Sequence, residues 1–223
     1  MTSSYSVVIP AFNAERTLAA AIDSVLAQTL APSAVIVVDD GSTDRTAEIA
    51  QVFGTRVTLI QQDHFGPGAA TTLGFDAVTT PVLAGLDADD IWLPDKAARQ
   101  LDRLERCRDL DAVFGQVRLF RHNEPPRSDA AIQDNWGRST IMIHHSAARL
   151  IGPILDPPKG GCGEMIDWLG RARELDMKLE MMPEVLALRR IIPGSMSFDR
   201  NTRGEGYLHV AKLALARKRM KPS

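Results

Sequence analysis

Cysteine, aromatic residues and any excess of one charge are all scarce here, and each shortage removes a class of protein. Two cysteines stand in 223 residues, Cys107 and Cys162, far apart and outside any metal-type spacing. Neither a disulfide framework nor a structural zinc site is expected, and a reducing cytoplasm is the natural compartment. Aromatics make up 5%, too few for the stacking platforms that hold single-stranded nucleic acid. Net charge is −2, from 26 basic against 28 acidic side chains, so no global field recruits nucleic acid. No apolar run approaches the ~20 residues of a membrane span, and Met1–Tyr5 lacks the basic and apolar regions of a secretory signal. A P-loop sequence is absent too. Gly66-Pro67-Gly68 has no third glycine at the dinucleotide spacing, which disfavours a nicotinamide dehydrogenase.

What is present is a soluble composition, 44% hydrophobic and 24% charged, in a length that suits one domain. Strand-like runs at Tyr5–Ile9, Ala34–Val38, Val57–Gln61 and Val82–Leu86 alternate with helical patterns over Ala14–Gln28, Thr43–Phe53 and Pro67–Val78. Ser42 or Thr43 is the expected cap of the second helix. Such alternation predicts an α/β fold, a doubly wound, mostly parallel sheet with helices on both faces. Ligands of such sheets bind at the carboxyl ends of the strands. Polar residues fall there: Asn13 and Glu15, then Asp39 and Asp40, then Asp87, Asp89 and Asp90.

The second half is expected to hold a helix over Asp95–Arg108 and a strand over Ala112–Phe120. A polar loop follows over His122–Arg138, then a strand at Ser139–Ile143 and a helix at Ser146–Ile151. His144 and His145 would point to opposite faces if that strand continues. Glu164–Leu175 reads as a helix, Pro183–Arg190 as ending in a strand, and Tyr207–Met220 as a helix with a basic end that includes Lys221. Cys162, between glycines, could be an exposed thiol.

Asp87-Ala88-Asp89-Asp90 is the sharpest local feature. Carboxylates this dense repel one another, so a compensating cation is reasonable, and Mg²⁺ or Mn²⁺ suits two carboxylates with open positions for phosphate oxygens. The plain alternative is a solvated acidic turn before the next helix.

Three segments, in order, resemble family 2 glycosyltransferases: Val7-Val8-Ile9-Pro10-Ala11-Phe12-Asn13-Ala14-Glu15, Val37-Val38-Asp39-Asp40-Gly41-Ser42-Thr43-Asp44, and Leu86-Asp87-Ala88-Asp89-Asp90-Ile91-Trp92. The resemblance implies the GT-A fold, a nucleotide diphosphate sugar donor, commonly a UDP sugar, and a divalent metal, Mn²⁺ or Mg²⁺. By it, Pro10, Ala11, Asn13 and Glu15 would line the nucleoside pocket, and Asp40 would contact base or ribose. Asp89 would be the principal metal ligand, with Asp87 on ribose or metal and Asp90 beside the donor sugar. The family's acidic pair opening a helix is similar to Glu164-Met165-Ile166-Asp167, which would supply the general base, Glu164 ahead of Asp167. Helical spacing puts both on one face, where a capping role is the alternative. Met165 stands where the family has the aspartate base. Thr71-Thr72 replace an arginine–asparagine pair, and Ile192 stands near an absent metal histidine, while Arg189 and Arg190 could still bind diphosphate.

The chain is thus expected to be a single domain over 1–223. Residues 1–110 would bind the donor, 111–200 the acceptor, and 201–223 form a basic helix. The expected reaction is inverting transfer of a hexose to a hydroxyl or thiol of a peptide, natural product or saccharide. Peripheral membrane contact through the tail and homodimerisation stay open. A degenerate sugar-nucleotide-binding module is the alternative, and a sugar nucleotidyltransferase a weaker one, since Pro10-Ala11-Phe12-Asn13 is no glycine-rich phosphate loop.

Overall fold

The computed structural model describes residues 4–157, 163–192 and 200–220. Cys162, Lys221 and the 193–195 stretch beyond Ile192 lie outside them. Strand β1 (Tyr5–Ala11) is buried at every position, as a central strand covered on both faces must be. Helix α1 (Leu18–Leu26), β2 (Ala34–Asp40), α2 (Thr46–Val52), β3 (Thr58–Gln62), α3 (Pro67–Asp76) and β4 (Val82–Gly85) follow. After a short β5 (Ile91–Trp92) come α4 (Lys96–Arg106), β6 (Ala112–Arg121), β7 (Ile132–Asn135) and β8 (Met142–His144). The described chain is completed by α5 (His145–Ile151), α6 (Glu164–Glu174), β9 (Leu179–Ile191) and α7 (Arg200–Met220).

The strands form one sheet in the order β3-β2-β1-β4-β8-β6-β9-β5, with β7 beside β6. β3, β2, β1 and β4 are mutually parallel, as the alternation predicts. β8 runs antiparallel to both β4 and β6, and β6 pairs in parallel with β9. Because the chain leaves β1 toward β2 and later returns to β4 on its other side, the order reverses at β1. In open α/β sheets such a reversal marks the ligand crevice, which here falls to the carboxyl ends of β1, β2 and β4.

Alternate residues along the strands feed two apolar clusters. Val7, Ile9, Val35 and Val37 pack with Leu18, Ile22 and Val25 of α1 and Leu101 and Leu104 of α4. Val8, Ile36 and Val38 pack on the other face with Ala70 and Phe75 of α3 and Trp168 and Leu169 of α6.

Several boundaries differ from the sequence expectations, each for a local reason. Helix α1 starts at Leu18 because the N–H groups of Asn13, Ala14 and Glu15 are bonded to Ser42 Oγ (2.9 Å), Thr46 Oγ1 (2.8 Å) and Asp44 Oδ2 (3.0 Å). Helix α2 starts at Thr46, whose N–H is taken by Asp44 Oδ1 at 3.0 Å. Thr43 instead donates its N–H to Asn13 Oδ1, so neither it nor Ser42 caps the helix. The polar segment 122–138 contains β7, and the strand expected at Ser139–Ile143 begins instead with a 3-10 turn, Arg138–Thr140. His144 ends β8 and His145 opens α5, so the pair never extends as a strand. β9 begins four residues before Pro183, which sits at an irregularity in the β6–β9 register where a missing N–H is tolerated.

Gly74 marks how tightly α3 lies on the sheet. A Cβ there would overlap Val8 Cγ1 and come within 3.1 Å of Val38 Cγ2. In a free helix Gly→Ala gains about 1 kcal/mol, but overpacking against stiff valines costs about 1–3 kcal/mol. Gly74→Ala is therefore expected to lower stability in urea unfolding, and a stabilised variant would contradict this packing.

Candidate active site

The loops after β1 and β2 are wired to each other. Asn13 adopts positive φ (47°) and accepts the Thr43 N–H at 2.9 Å. Glu15 reaches across to Arg45, Oε2 to Nε 3.4 Å. Pro10 and Ala11 belong to the buried strand, and Phe12, exposed beyond them, stacks on His64 with ring centroids 4.0 Å apart. Asp39 accepts from Ser42 N (3.1 Å) and Gln61 Nε2 (3.3 Å).

Asp40 is buried, and its carboxylate accepts from Gln62 Nε2 (2.6 Å), the N–H of Phe65 (2.9 Å) and the N–H of Gly66 (3.0 Å). His64 Nδ1 lies 2.9 Å from Oδ2, the oxygen that takes the Gly66 N–H, while Gln62 and Phe65 share Oδ1. So saturated a carboxylate organises the β3–α3 loop. What it leaves facing outward is the Phe12–His64 stack, which nothing in the local sequence pattern announced. Beyond that loop, Asp156 accepts the N–H groups of Gly68 and Ala69, both at 2.8 Å, and so fills the anion-favouring start of α3. Thr71 and Thr72 do not reach the crevice: their hydroxyls bond Pro67 O and Gly68 O, and Thr72 also takes the Ile154 N–H.

The acidic motif at the end of β4 is gripped by the 3-10 turn. Arg138, only 6% exposed, donates from Nη1 to Asp87 Oδ1 and from Nη2 to Glu164 Oε1 (3.2 Å). Ser139 Oγ lies 3.1 Å from Asp87 Oδ2 and 2.5 Å from Asp90 Oδ2. Asp90 is buried and also accepts the Arg190 N–H at 2.8 Å. Asp89 is held through its backbone: Arg190 Nε donates to its carbonyl at 2.8 Å while the guanidinium lies over Phe120. No other side chain among the described residues bonds the Asp89 carboxylate, and Asp87 keeps 37% of its side chain exposed. No group of three or more His, Cys, Asp or Glu among the described residues forms a metal cage.

The two candidate bases part company. Glu164 opens α6, accepts the Gly163 N–H at 3.0 Å and meets Asp87 across Arg138. Asp167 is buried, and its oxygens are taken by Arg171 Nε (3.1 Å) and Arg217 Nη1 (2.7 Å). Those bonds, with Arg217 Nε on Glu174, tie α7 to α6. Met165 is buried in the apolar cluster under α6.

The model of glycosyl transferase family 2 matches residues 6–151, well over half of the chain. The chain belongs to glycosyl transferase family 2. It is 42% identical over 132 residues to an uncharacterized glycosyltransferase of Nostoc, a match covering 57% of this chain and 41% of that protein. A UDP-Glc:α-D-GlcNAc-diphosphoundecaprenol β-1,3-glucosyltransferase of Escherichia coli is 29% identical over 120 residues, 53% of this chain and 47% of the relative. The matched region is thus less than half the length of either relative. Among solved structures, S. aureus TarS 1-349 in complex with UDP-GlcNAc superposes with a TM-score of 0.77 at 16% identity, over 96% of this chain and 66% of that one. The Pyrobaculum calidifontis mannosyltransferase PcManGT in complex with GDP-Man and Mn²⁺ gives 0.74 at 15%, over 97% and 65%. The fold of this family 2 chain is GT-A, an α/β sheet covered by helices.

Burial, and then the charge of Asp87, pushes the Asp89 carboxyl up to about 6. Burial together with Asp89 and Asp87 raises that of Asp90 well above the usual range. Unfolded aspartates titrate near pH 4, so from about pH 4 through 6 and above the native state binds more protons than the unfolded chain. Stability must then fall as pH rises through that window. With divalent cations chelated, thermal melts should drop by a few degrees between pH 5 and pH 7, and Asp90→Asn should flatten the drop. A melting temperature that rises over that interval would contradict the assignment.

Proposed function

We propose that this chain transfers a hexose from a UDP sugar to a hydroxyl or thiol of a discrete acceptor, a peptide, natural product or saccharide, with inversion at the sugar carbon. One observation carries the reading: Asp87, from the donor-side sheet edge, and Glu164, from the start of α6, meet on the same guanidinium. An acidic motif at a topological switch point is placed to receive a charged donor. A carboxylate on the facing element is placed to take the proton of an attacking hydroxyl. Glu164 is the proposed base. Asp167 is not, because it is buried, is paired with Arg171 and Arg217 in the α6–α7 contact, and shares no partner with the acidic motif among the described residues.

Uridine as the nucleoside is supported by the E. coli relative, named for UDP-Glc, and by the UDP-GlcNAc complex of TarS. Pro10, Ala11, Asn13 and Glu15 border the proposed nucleoside pocket, with Asp40 shaping it through the loop that carries His64. Hard carboxylate oxygens on Asp89 and Asp87 fit Mn²⁺ or Mg²⁺, and Asp89 is the freer of the two. A cation there would neutralise the diphosphate as it leaves. Asp90 would support that motif from beneath, through Ser139 and the Arg190 backbone. We assign residues 1–110 to the donor and 111–200 to the acceptor, in a cytoplasmic setting consistent with the unbridged Cys107. No helix among the described residues is long and apolar enough to cross a membrane.

Release of UDP from UDP-glucose and UDP-GlcNAc in Mn²⁺ buffer tests the reading, since water can replace the acceptor. Glu164→Gln should lower turnover about 100-fold while leaving UDP affinity intact, and Asp89→Ala should abolish metal-dependent UDP binding. Asp167→Asn should instead cost about 3 kcal/mol of stability. UDP binding without any turnover would favour the degenerate binding module, and loss of turnover confined to Asp167→Asn would overturn the choice of base.

A further inference from the structure

We propose that Arg138 is the positioning residue of this site, holding Glu164 in register with the acidic motif. The inference rests on the transfer reading above and adds to it the residue that aligns its two halves.

Burial argues first. At 6% exposure, the guanidinium is sunk beneath the crevice and is unlike a solvent-facing phosphate ligand. Its two terminal nitrogens are already spent on carboxylates from different elements, Asp87 after β4 and Glu164 on α6. Nε is buried with no protein partner among the described residues, so the side chain is oriented by those two carboxylates and by its socket.

The socket is specific. Gly85, the last residue of β4, faces the Arg138 stem: a Cβ there would come 2.7 Å from Arg138 Cγ and 3.1 Å from its carbonyl oxygen. The strand that delivers Asp87 therefore also makes room for the arginine that restrains it. From the other side, the 3-10 turn is held by Trp92 Nε1 on Ser139 O (2.8 Å) and Gln100 Nε2 on Thr140 O (2.7 Å). Arg138 thus projects from a braced turn toward a carboxylate that begins a helix.

Met165 explains why the restraint matters. With Met165 turned into the core, Glu164 is the carboxylate that the start of α6 offers to the crevice. A lone glutamate has three rotatable bonds, and a misplacement of about 1 Å can cost a rate 100-fold. A two-pronged guanidinium anchored on Asp87 removes that freedom. It also separates two carboxylates that would otherwise repel.

The test uses the full chain with Arg138→Met, Arg138→Lys, Glu164→Gln and the double variant Arg138→Met/Glu164→Gln. UDP release from UDP-glucose and UDP-GlcNAc and thermal melting are measured on each. Arg138→Met should lower kcat about 100-fold with donor KM changed less than about threefold. Arg138→Lys should recover at least about tenfold of that loss, since it restores the charge without the fork. The double variant should be no slower than the slower single variant, because Arg138 acts through Glu164. Multiplying losses, or a donor KM that rises as far as kcat falls, would overturn the proposal; the latter would make Arg138 a diphosphate ligand. Melting is read independently of turnover. Arg138→Met should melt several degrees lower at pH 7, and adding Glu164→Gln should regain part of the loss. If no variant, wild type included, releases UDP, the transfer reading fails, and the melting cycle alone decides whether the two residues are coupled. Additive melting shifts would then sink the positioning claim as well.

Discussion

Like charges gathered at one sheet edge repel, and Asp87, Asp89 and Asp90 lie within four consecutive residues with Glu164 brought up against them. The rest of the site follows from how that repulsion is offset. Arg138 supplies the positive charge between Asp87 and Glu164, and Ser139 shares its hydroxyl between Asp87 and Asp90. Arg190 fixes the motif from the far side through Asp90 and the Asp89 carbonyl. Asp89 alone of the three is left with no side chain bonded to its carboxylate among the described residues. A densely acidic turn is thereby made into a frame with one carboxylate free of side-chain partners among the described residues, the group the proposed cation would use.

The first half of this arrangement was legible in the sequence because its physics is local. Alternating apolar runs and helical patterns announce parallel βαβ units, and the acidic residues at three strand ends mark the crevice. The second half was not legible, because its interactions join distant residues. Arg138 and Asp87 are 51 positions apart, and Asp156 caps a helix that begins 89 residues earlier. Nothing about Arg138-Ser139-Thr140 as a string announces a clamp: Arg138 reads as the end of the polar loop and Ser139 as the start of the next strand. The same holds for Asp40, whose role as a loop organiser depends on Gln62, His64 and two backbone N–H groups that only the fold brings together. Asp167 shows the converse. Its spacing from Glu164 puts both on one helical face, yet α7 claims Asp167 through Arg217, a contact no periodicity within α6 could reveal.

Family membership and the site also divide along the chain. The family match ends at residue 151, so it covers the donor-side motifs and Arg138 but stops short of α6. The sheet order explains the division. β1 to β4 come from contiguous sequence, whereas α6 arrives from later in the chain and meets the first half through Trp168 against Phe75 and through the Arg138 bridge to Asp87.

The most direct measurement is a crystal structure of the full chain grown with UDP and Mn²⁺. UDP should lie at the carboxyl ends of β1, β2 and β4, with the Asp89 carboxylate on the metal. Arg138 should still join Asp87 to Glu164. UDP bound elsewhere, or an Arg138 swung out of its socket onto the diphosphate with Glu164 released, would contradict it.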